Sequence, residues 1–183
     1  MQLNENNLKA KIISKWIDQL VIGQNLCPFA KKVFMESSIR YKVSEAQNNE
    51  DIFLDFIKEL HILEHDSEVS TTLLILSDIL EFDHFLDMAE IIELYLEENY
   101  FGIYQLATFH PDYVFEGSDF NDTSNFTNRS PFPVFHILRA DMISASLKNF
   151  NHPEKIPDNN IRRLQEIGID NIKKILSDCH NIQ

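Results

Sequence analysis

A strand that is apolar on both faces has to be covered on both faces. Residues 69–77, VSTTLLILS, end in such a run, with Leu73, Leu74, Ile75 and Leu76 in succession. The pattern predicts a central strand with helices packed on each side of its sheet. Helices are read on either side of this strand in the sequence. In 49–64, Phe53, Phe56, Ile57, Leu60 and Leu63 fall on one helical face, and in 81–99, Phe82, Phe85, Leu86, Ala89, Ile92 and Leu96 do the same. Before them, SIRYKV at 38–43 alternates as a strand with Ile39, Tyr41 and Val43 on one side; after them, Gly102 ends the second helix and GIYQLATF to Phe109 reads as a third strand. The order strand, helix, strand, helix, strand favours parallel strands joined by right-handed crossovers.

Helices are expected at both ends of this core. Leu8, Ile12, Ile13, Trp16, Ile17 and Leu20 recur at helical spacing over 5–22, and Gly23 fits the end of that helix. In NLCPFA, 25–30, Pro28 disfavours helical geometry at Cys27, so the chain bends or starts a new helix there. A short helix is expected at 141–150, then one begun by Pro157 and stopped by Gly168, then another from about Asp170. VFHIL at 134–138 reads as a fourth strand or as a helix beginning near Pro133. The expected fold is α/β: one domain over 1–183, with a mixed, mostly parallel sheet of about four strands, flanking helices and two C-terminal helices.

Charge narrows the function classes. The net charge is −13, and residues 45–100 hold sixteen acidic side chains against one base, Lys58. That segment alone carries −15, so the two acid-rich helices form a solvated face or a docking surface for a basic partner. Nucleic acid is disfavoured as a ligand, because phosphate binding needs a basic stripe. No apolar run reaches the roughly 18–20 residues of a membrane span. The start, MQLNENNLKAK, lacks the layout of a signal peptide, so the chain reads as cytoplasmic. Two cysteines, Cys27 and Cys179, do not make a disulfide framework or a zinc motif, and no cofactor is implied. The oligomeric state is left open.

The candidate site lies after the third strand. His110 follows Phe109 directly, and ligands of open α/β sheets bind beyond the carboxyl ends of the strands. The 23-residue loop 110–132 is long for a compact domain and carries Tyr113, Phe115, Phe120, Phe126 and Phe132, which suits a site wall or an aromatic plug. Asn128, Arg129 and Ser130 then precede Pro131 and Pro133, which stiffen the chain. A guanidinium held on a stiff loop suits a carboxylate or phosphate, or it pairs a structural acid such as Asp119 or Asp122. His136 and Arg139 converge if 133–139 is helical and diverge if it is a strand. His110 and His136 are the candidate general acid and base, and Cys27 is an inert core thiol, a nucleophile activated by either histidine, or a metal ligand with both. The pair His61 and His65, spaced i, i+4 among acids, reads as surface.

Three blocks, VIGQNLCPFAKKV at 21–33, TFHPDYVFEG at 108–117 and NFTNRSPFPVFHILRADMISASL at 125–147, resemble an uncharacterised bacterial family, domain of unknown function 1415. The resemblance extends to the IPDNNIRRLQEIG tail and carries no activity. It implies that Cys27, His110, Asn128, Arg129, Ser130, His136 and Arg139 fall in the family's characteristic blocks. The family pattern has tyrosine at Phe132 and an acid at Ala140, so a mechanism using that hydroxyl or carboxylate is not available here. The combined expectation is a pocket for a small carboxylate- or phosphate-bearing metabolite. Arg129 and Arg139 would clamp the anion, Asn128 and Ser130 orient it, and His110 or His136 move a proton. Non-catalytic docking of a basic partner and a metal site of Cys and His are the alternatives.

Overall fold

The computed structural model describes residues 4–78, 80–148 and 151–182. Its centre is a four-stranded sheet of β1 (Ile39–Ser44), β2 (Thr71–Leu76), β3 (Tyr104–Phe109) and β4 (Val134–Arg139), in the order β1-β2-β4-β3. β1 and β2 are parallel, while β4 pairs antiparallel with both β2 and β3. The expectation of a mostly parallel sheet is therefore corrected. The first three strands do run the same way, but β4 inserts between β2 and β3 and leaves one parallel pair. The inserted position follows from composition. Val134, Phe135 and Ile137 are fully buried, so β4, like β2, needs cover on both faces and a neighbour on both edges.

The α3 helix (Asn49–His65) and α4 helix (Phe82–Tyr100) cover one face of the sheet. Asn48 caps α3, its side chain accepting from the Asp51 N–H at 2.9 Å. Phe56, Leu60 and Leu63 of α3 and Phe85, Met88 and Ile92 of α4 pack on Leu74, Leu76, Phe135 and Ile137. The Phe85 and Phe135 rings stack at 4.6 Å. Not every acid on these helices is solvated. Glu59 is buried and held bidentately by Arg40 of β1 at 2.6 and 3.1 Å, which gives the buried carboxylate a charged partner.

The other face is covered by both ends of the chain. The α1 helix (Glu5–Trp16) runs on as a π-helical segment, Ile17–Ile22, so the expected single helix over 5–22 changes its winding halfway. α2 (Ala30–Met35) follows the Cys27–Pro28 bend. At the far end come α5 (Ala140–Leu147), α6 (Ile156–Ile167) and α7 (Ile169–Cys179); residues 149 and 150 of the expected helix 141–150 lie outside the described residues. Gly168 separates α6 from α7 with φ of 80°, a left-handed conformation that suits glycine. Ile13, Trp16, Leu20, Leu164 and Ile172 pack against Val43, Leu73, Ile75 and Val134 to form this second core. Among the described residues, no helix is long and apolar enough to cross a membrane.

Candidate functional site

The long loop is organised by side-chain bonds to its own backbone. A segment with little regular structure still has to satisfy its N–H and C=O groups. Asn125, fully buried, does much of this: its Oδ1 accepts from the Phe115 N–H at 2.9 Å and the Ser118 hydroxyl at 2.8 Å, and its Nδ2 donates to the Asp119 carbonyl at 2.8 Å. Sequence reasoning did not single out this residue. Arg129 completes the arrangement. Its Nε donates to the Tyr113 carbonyl at 3.0 Å and its Nη2 to the Phe120 carbonyl at 2.7 Å. The Phe120 and Phe126 rings lie 4.4 and 4.5 Å from the guanidinium. Arg129 is 4% exposed, and burial pushes its pKa down from the ordinary arginine range, opposed by the nearby Asp112 carboxylate.

The neighbouring candidates serve the same framework. Asn128 donates from Nδ2 to the Thr108 carbonyl at 3.1 Å, tying the loop to β3, and the Ser130 hydroxyl donates to the Phe132 carbonyl. His110 is fully buried on the α4 side of the sheet, between the Phe82 and Phe85 rings at 5.2 and 5.1 Å. Its Nδ1 accepts from the Asp112 N–H at 3.0 Å, so its Nε2 carries the proton that goes to the Leu80 carbonyl at 2.8 Å. Both ring nitrogens are thus occupied by backbone groups. Burial lowers the His110 pKa and favours this neutral form.

Residues 134–139 form a strand, so His136 and Arg139 diverge. Arg139 reaches to the α3 side, where its guanidinium donates to the carbonyls of Leu63, Asp66 (3.3 Å) and Val69 (3.1 Å). It thereby satisfies carbonyls at and just beyond the C-terminal end of α3, where a cation is also favoured by the helix dipole. His136 points to the opposite face, toward α1.

That face holds a cavity of about 380 Å³. Trp16, Ile17 and Val21 form one wall, Leu73, His136 and Leu138 the floor, and Met142 and Ile143 of α5 the far side. Cys27 and Pro28 close one end, and Lys32 of α2, itself exposed, also borders the cavity. The lining is predominantly apolar. A wider groove of about 750 Å³ lies beside it along the loop and α6, bordered by Asn128, Glu116 and Asp122. Trp16, Val21, Cys27 and Phe109 border both spaces and form the partition between them. The Trp16 and Phe109 rings meet edge to face at 5.1 Å.

His136 lines the cavity together with the polar side chains of Ser70, Thr71, Lys32, Arg139 and Ser146. It lies deep among protein atoms, which lowers its pKa to about 4, yet it keeps some accessible surface. The cavity is what supplies that surface. Its Nε2 lies 2.7 Å from the Thr71 hydroxyl, and its Nδ1 has no partner among the described residues. Burial raises the Cys27 pKa, despite N–H groups of Phe29 and Ala30 that favour the thiolate, so this sulfur is held as a neutral thiol.

The structure therefore brings Cys27 and His136 to one cavity, and Cys27 and Asn128 to the adjoining groove. His110 lies across the sheet from both. Arg129 and Ser130 face into the loop, and Arg139 borders the cavity while its guanidinium serves α3. A shared metal site of Cys27, His110 and His136 is not assembled. Among the described residues, one group of three or more metal-ligating side chains has its ligand atoms within 4.8 Å of one another: His61, Glu64 and His65, all exposed on α3. Thr71, Met142 and Ile143 were not expected at the site. The short helix expected at 141–150 came with no assignment of what it would face.

No curated protein and no solved structure matches the chain. The family match covers the cavity, the loop and nearly all of both cores: residues 9–174 match the family described as "Protein of unknown function (DUF1415)", and the chain belongs to that family.

Proposed function

We propose that the protein binds a small, largely apolar molecule in the cavity between α1, β4 and α5. The observation that carries this reading is a predominantly apolar cavity of about 380 Å³ with an unpartnered imidazole nitrogen on its floor. Its volume lies in the ordinary range of ligand pockets, roughly 300–1,000 Å³, and few convergent polar groups in an apolar shell is the usual composition of such sites. A carboxylate on the ligand has a partner in Lys32, which makes no ion pair among the described residues. A phosphate is less well served. Arg129 and Arg139, the donors suited to it, already hold backbone carbonyls.

The protonation states favour binding over catalysis. A histidine with a pKa of about 4 stays neutral near pH 7 and is a weak base, and a thiol with a raised pKa is a poor nucleophile. The reading is tested by thermal shift with small aromatic and aliphatic carboxylates and their neutral amides, on wild type and on Ile143→Trp. The larger side chain fills the cavity from a peripheral helix. A ligand at about 100 times its Kd adds roughly 2.7 kcal/mol, a rise of about 5–10 °C in a domain of this size. A rise in wild type that is lost in Ile143→Trp supports the reading. Equal rises in both proteins put the ligand elsewhere and defeat it.

A second reading rests on the outer faces of α3 and α4, where Leu54, Ile91 and Leu94 are about half exposed among acidic side chains. That combination suits a basic amphipathic segment of a partner. Binding of a basic amphipathic peptide that weakens with salt and with Leu94→Ser would support it; binding indifferent to both would not.

A further inference from the structure

We infer that the cavity selects ligands that present a hydroxyl or N–H donor to His136, because Thr71 fixes the imidazole in the tautomer whose Nδ1 is an acceptor. This rests on reading the cavity as a small-molecule site, and it adds the chemical class of the occupant.

The chain of bonds fixes the proton positions. The Thr71 Oγ1 lies 2.6 Å from the Ile137 carbonyl oxygen. A carbonyl has no proton, so the hydroxyl's single proton must lie on that contact. Toward His136, 2.7 Å away, the same oxygen can then only accept. His136 Nε2 must therefore carry hydrogen. The ring lies deep in the protein and, among the described residues, has no carboxylate in hydrogen-bond or ion-pair contact, so it is held neutral. A neutral imidazole with hydrogen on Nε2 has a lone pair on Nδ1, the atom left without a partner. The backbone maintains the geometry, since Thr71 and Leu138 are register partners and Thr72 pairs Ile137 on adjacent central strands. Rotating Thr71 away would cost its bond to the Ile137 carbonyl as well as the one to His136.

Selectivity follows from what a mismatch leaves behind. A ligand hydroxyl or N–H pairs with Nδ1. An ether or carbonyl oxygen placed there meets a lone pair with a lone pair, and both groups lose water without gaining a partner. Size is bounded too. A cavity of about 150 Å³ holds benzene, so about 380 Å³ suits a two-ring molecule of roughly 10–15 non-hydrogen atoms.

The test compares 2-naphthol with 2-methoxynaphthalene, which have the same apolar body and differ in the donor. Affinities are measured by titration calorimetry on wild type, Thr71→Val and Ile143→Trp. The His136 tautomer is read from the ring-nitrogen NMR spectrum of ¹⁵N-labelled wild type without ligand. The expected results are hydrogen on Nε2, naphthol about tenfold tighter than its methyl ether in wild type, and neither bound in Ile143→Trp. In Thr71→Val the lock is gone, so the Nδ1–H form appears and the preference for naphthol falls to about twofold or less. The wild-type measurements decide the matter even if Thr71→Val does not fold. Equal affinities in wild type, or hydrogen found on Nδ1 there, overturn the inference. If neither probe binds wild type, the small-molecule reading itself falls and takes the selectivity with it.

Discussion

Arg129 offers the sharpest test of how this structure is held together. Replacing it with methionine keeps most of the side-chain length and its contact with the Phe120 and Phe126 rings. It removes the donors to the Tyr113 and Phe120 carbonyls at 3.0 and 2.7 Å. A hydrogen bond involving a charged group contributes about 1.5–3 kcal/mol; the Tyr113 carbonyl loses its side-chain donor, while the Phe120 carbonyl keeps the Asn125 amide at 3.3 Å. The stacking of the guanidinium between two rings adds about 0.5–2 kcal/mol, part of which methionine recovers through its own contact with the aromatics. Arg129→Met is therefore expected to lose about 3–5 kcal/mol. Arg129→Lys should recover less than half of that, because one ammonium cannot reach both carbonyls and lie between both rings. The assay is urea unfolding at neutral pH, with limited proteolysis across 110–132 to catch local opening. A loss below about 1 kcal/mol with no added cleavage would refute the loop-staple role and return Arg129 to the anion-clamp role. Cavity ligands should still bind Arg129→Met below its melting temperature, since the guanidinium does not border that cavity.

His136 should make stability fall in mild acid. Its pKa is near 4 in the native protein against an ordinary 6.5, so between those values the unfolded chain takes up a proton that the native state refuses. The stabilisation is fully present above pH 6.5 and is lost as pH falls toward 4, a span worth about 3 kcal/mol. His110 is shifted in the same direction, so the comparison is wild type against His136→Gln across pH 4–7, where the variant's slope should be clearly shallower; parallel curves would contradict the burial of a neutral ring. Cys27 should react with iodoacetamide at pH 7.5 more slowly than a cysteine in a short peptide, since burial raises its pKa, and a cavity ligand should slow it further. A rate above that of the free peptide would show an activated thiolate and revive the nucleophile reading.

Much of the fold is written in hydrophobic period. β2 announced itself as a covered strand, and α3 and α4 by stripes at helical spacing, because burial of those faces is local information. The place of β4 is not local. Yet VFHIL carries the same two-faced apolar signature as TTLLIL, and applying one criterion to both would have put β4 inside the sheet and separated His136 from Arg139. The site was less legible. Arginines in a loop look like anion binders because the carbonyls they serve have no sequence signature: any residue supplies one. The loop length was the usable clue, since 23 residues with little regular pairing need side-chain donors for their backbone. Cys27 and His136 were marked by residue type, but that they share a cavity depends on the π-helical turn and α5, whose packing no period specifies.

The inserted strand also sets an order of events during synthesis. Among the described residues, β3 pairs only with β4, and the inner edge of β2 is closed only by β4. Until residue 139 has emerged from the ribosome, the nascent chain can zip β1 to β2 but must leave β3 and one flank of β2 without hydrogen-bonded neighbours. Such open edges invite pairing with other chains. The loop that Arg129 fastens precedes β4 directly, so its closure brings the missing strand to the gap. A fragment ending before Val134 should then be captured by strand-binding chaperones or aggregate, whereas one ending just after α5 should already hold the whole sheet.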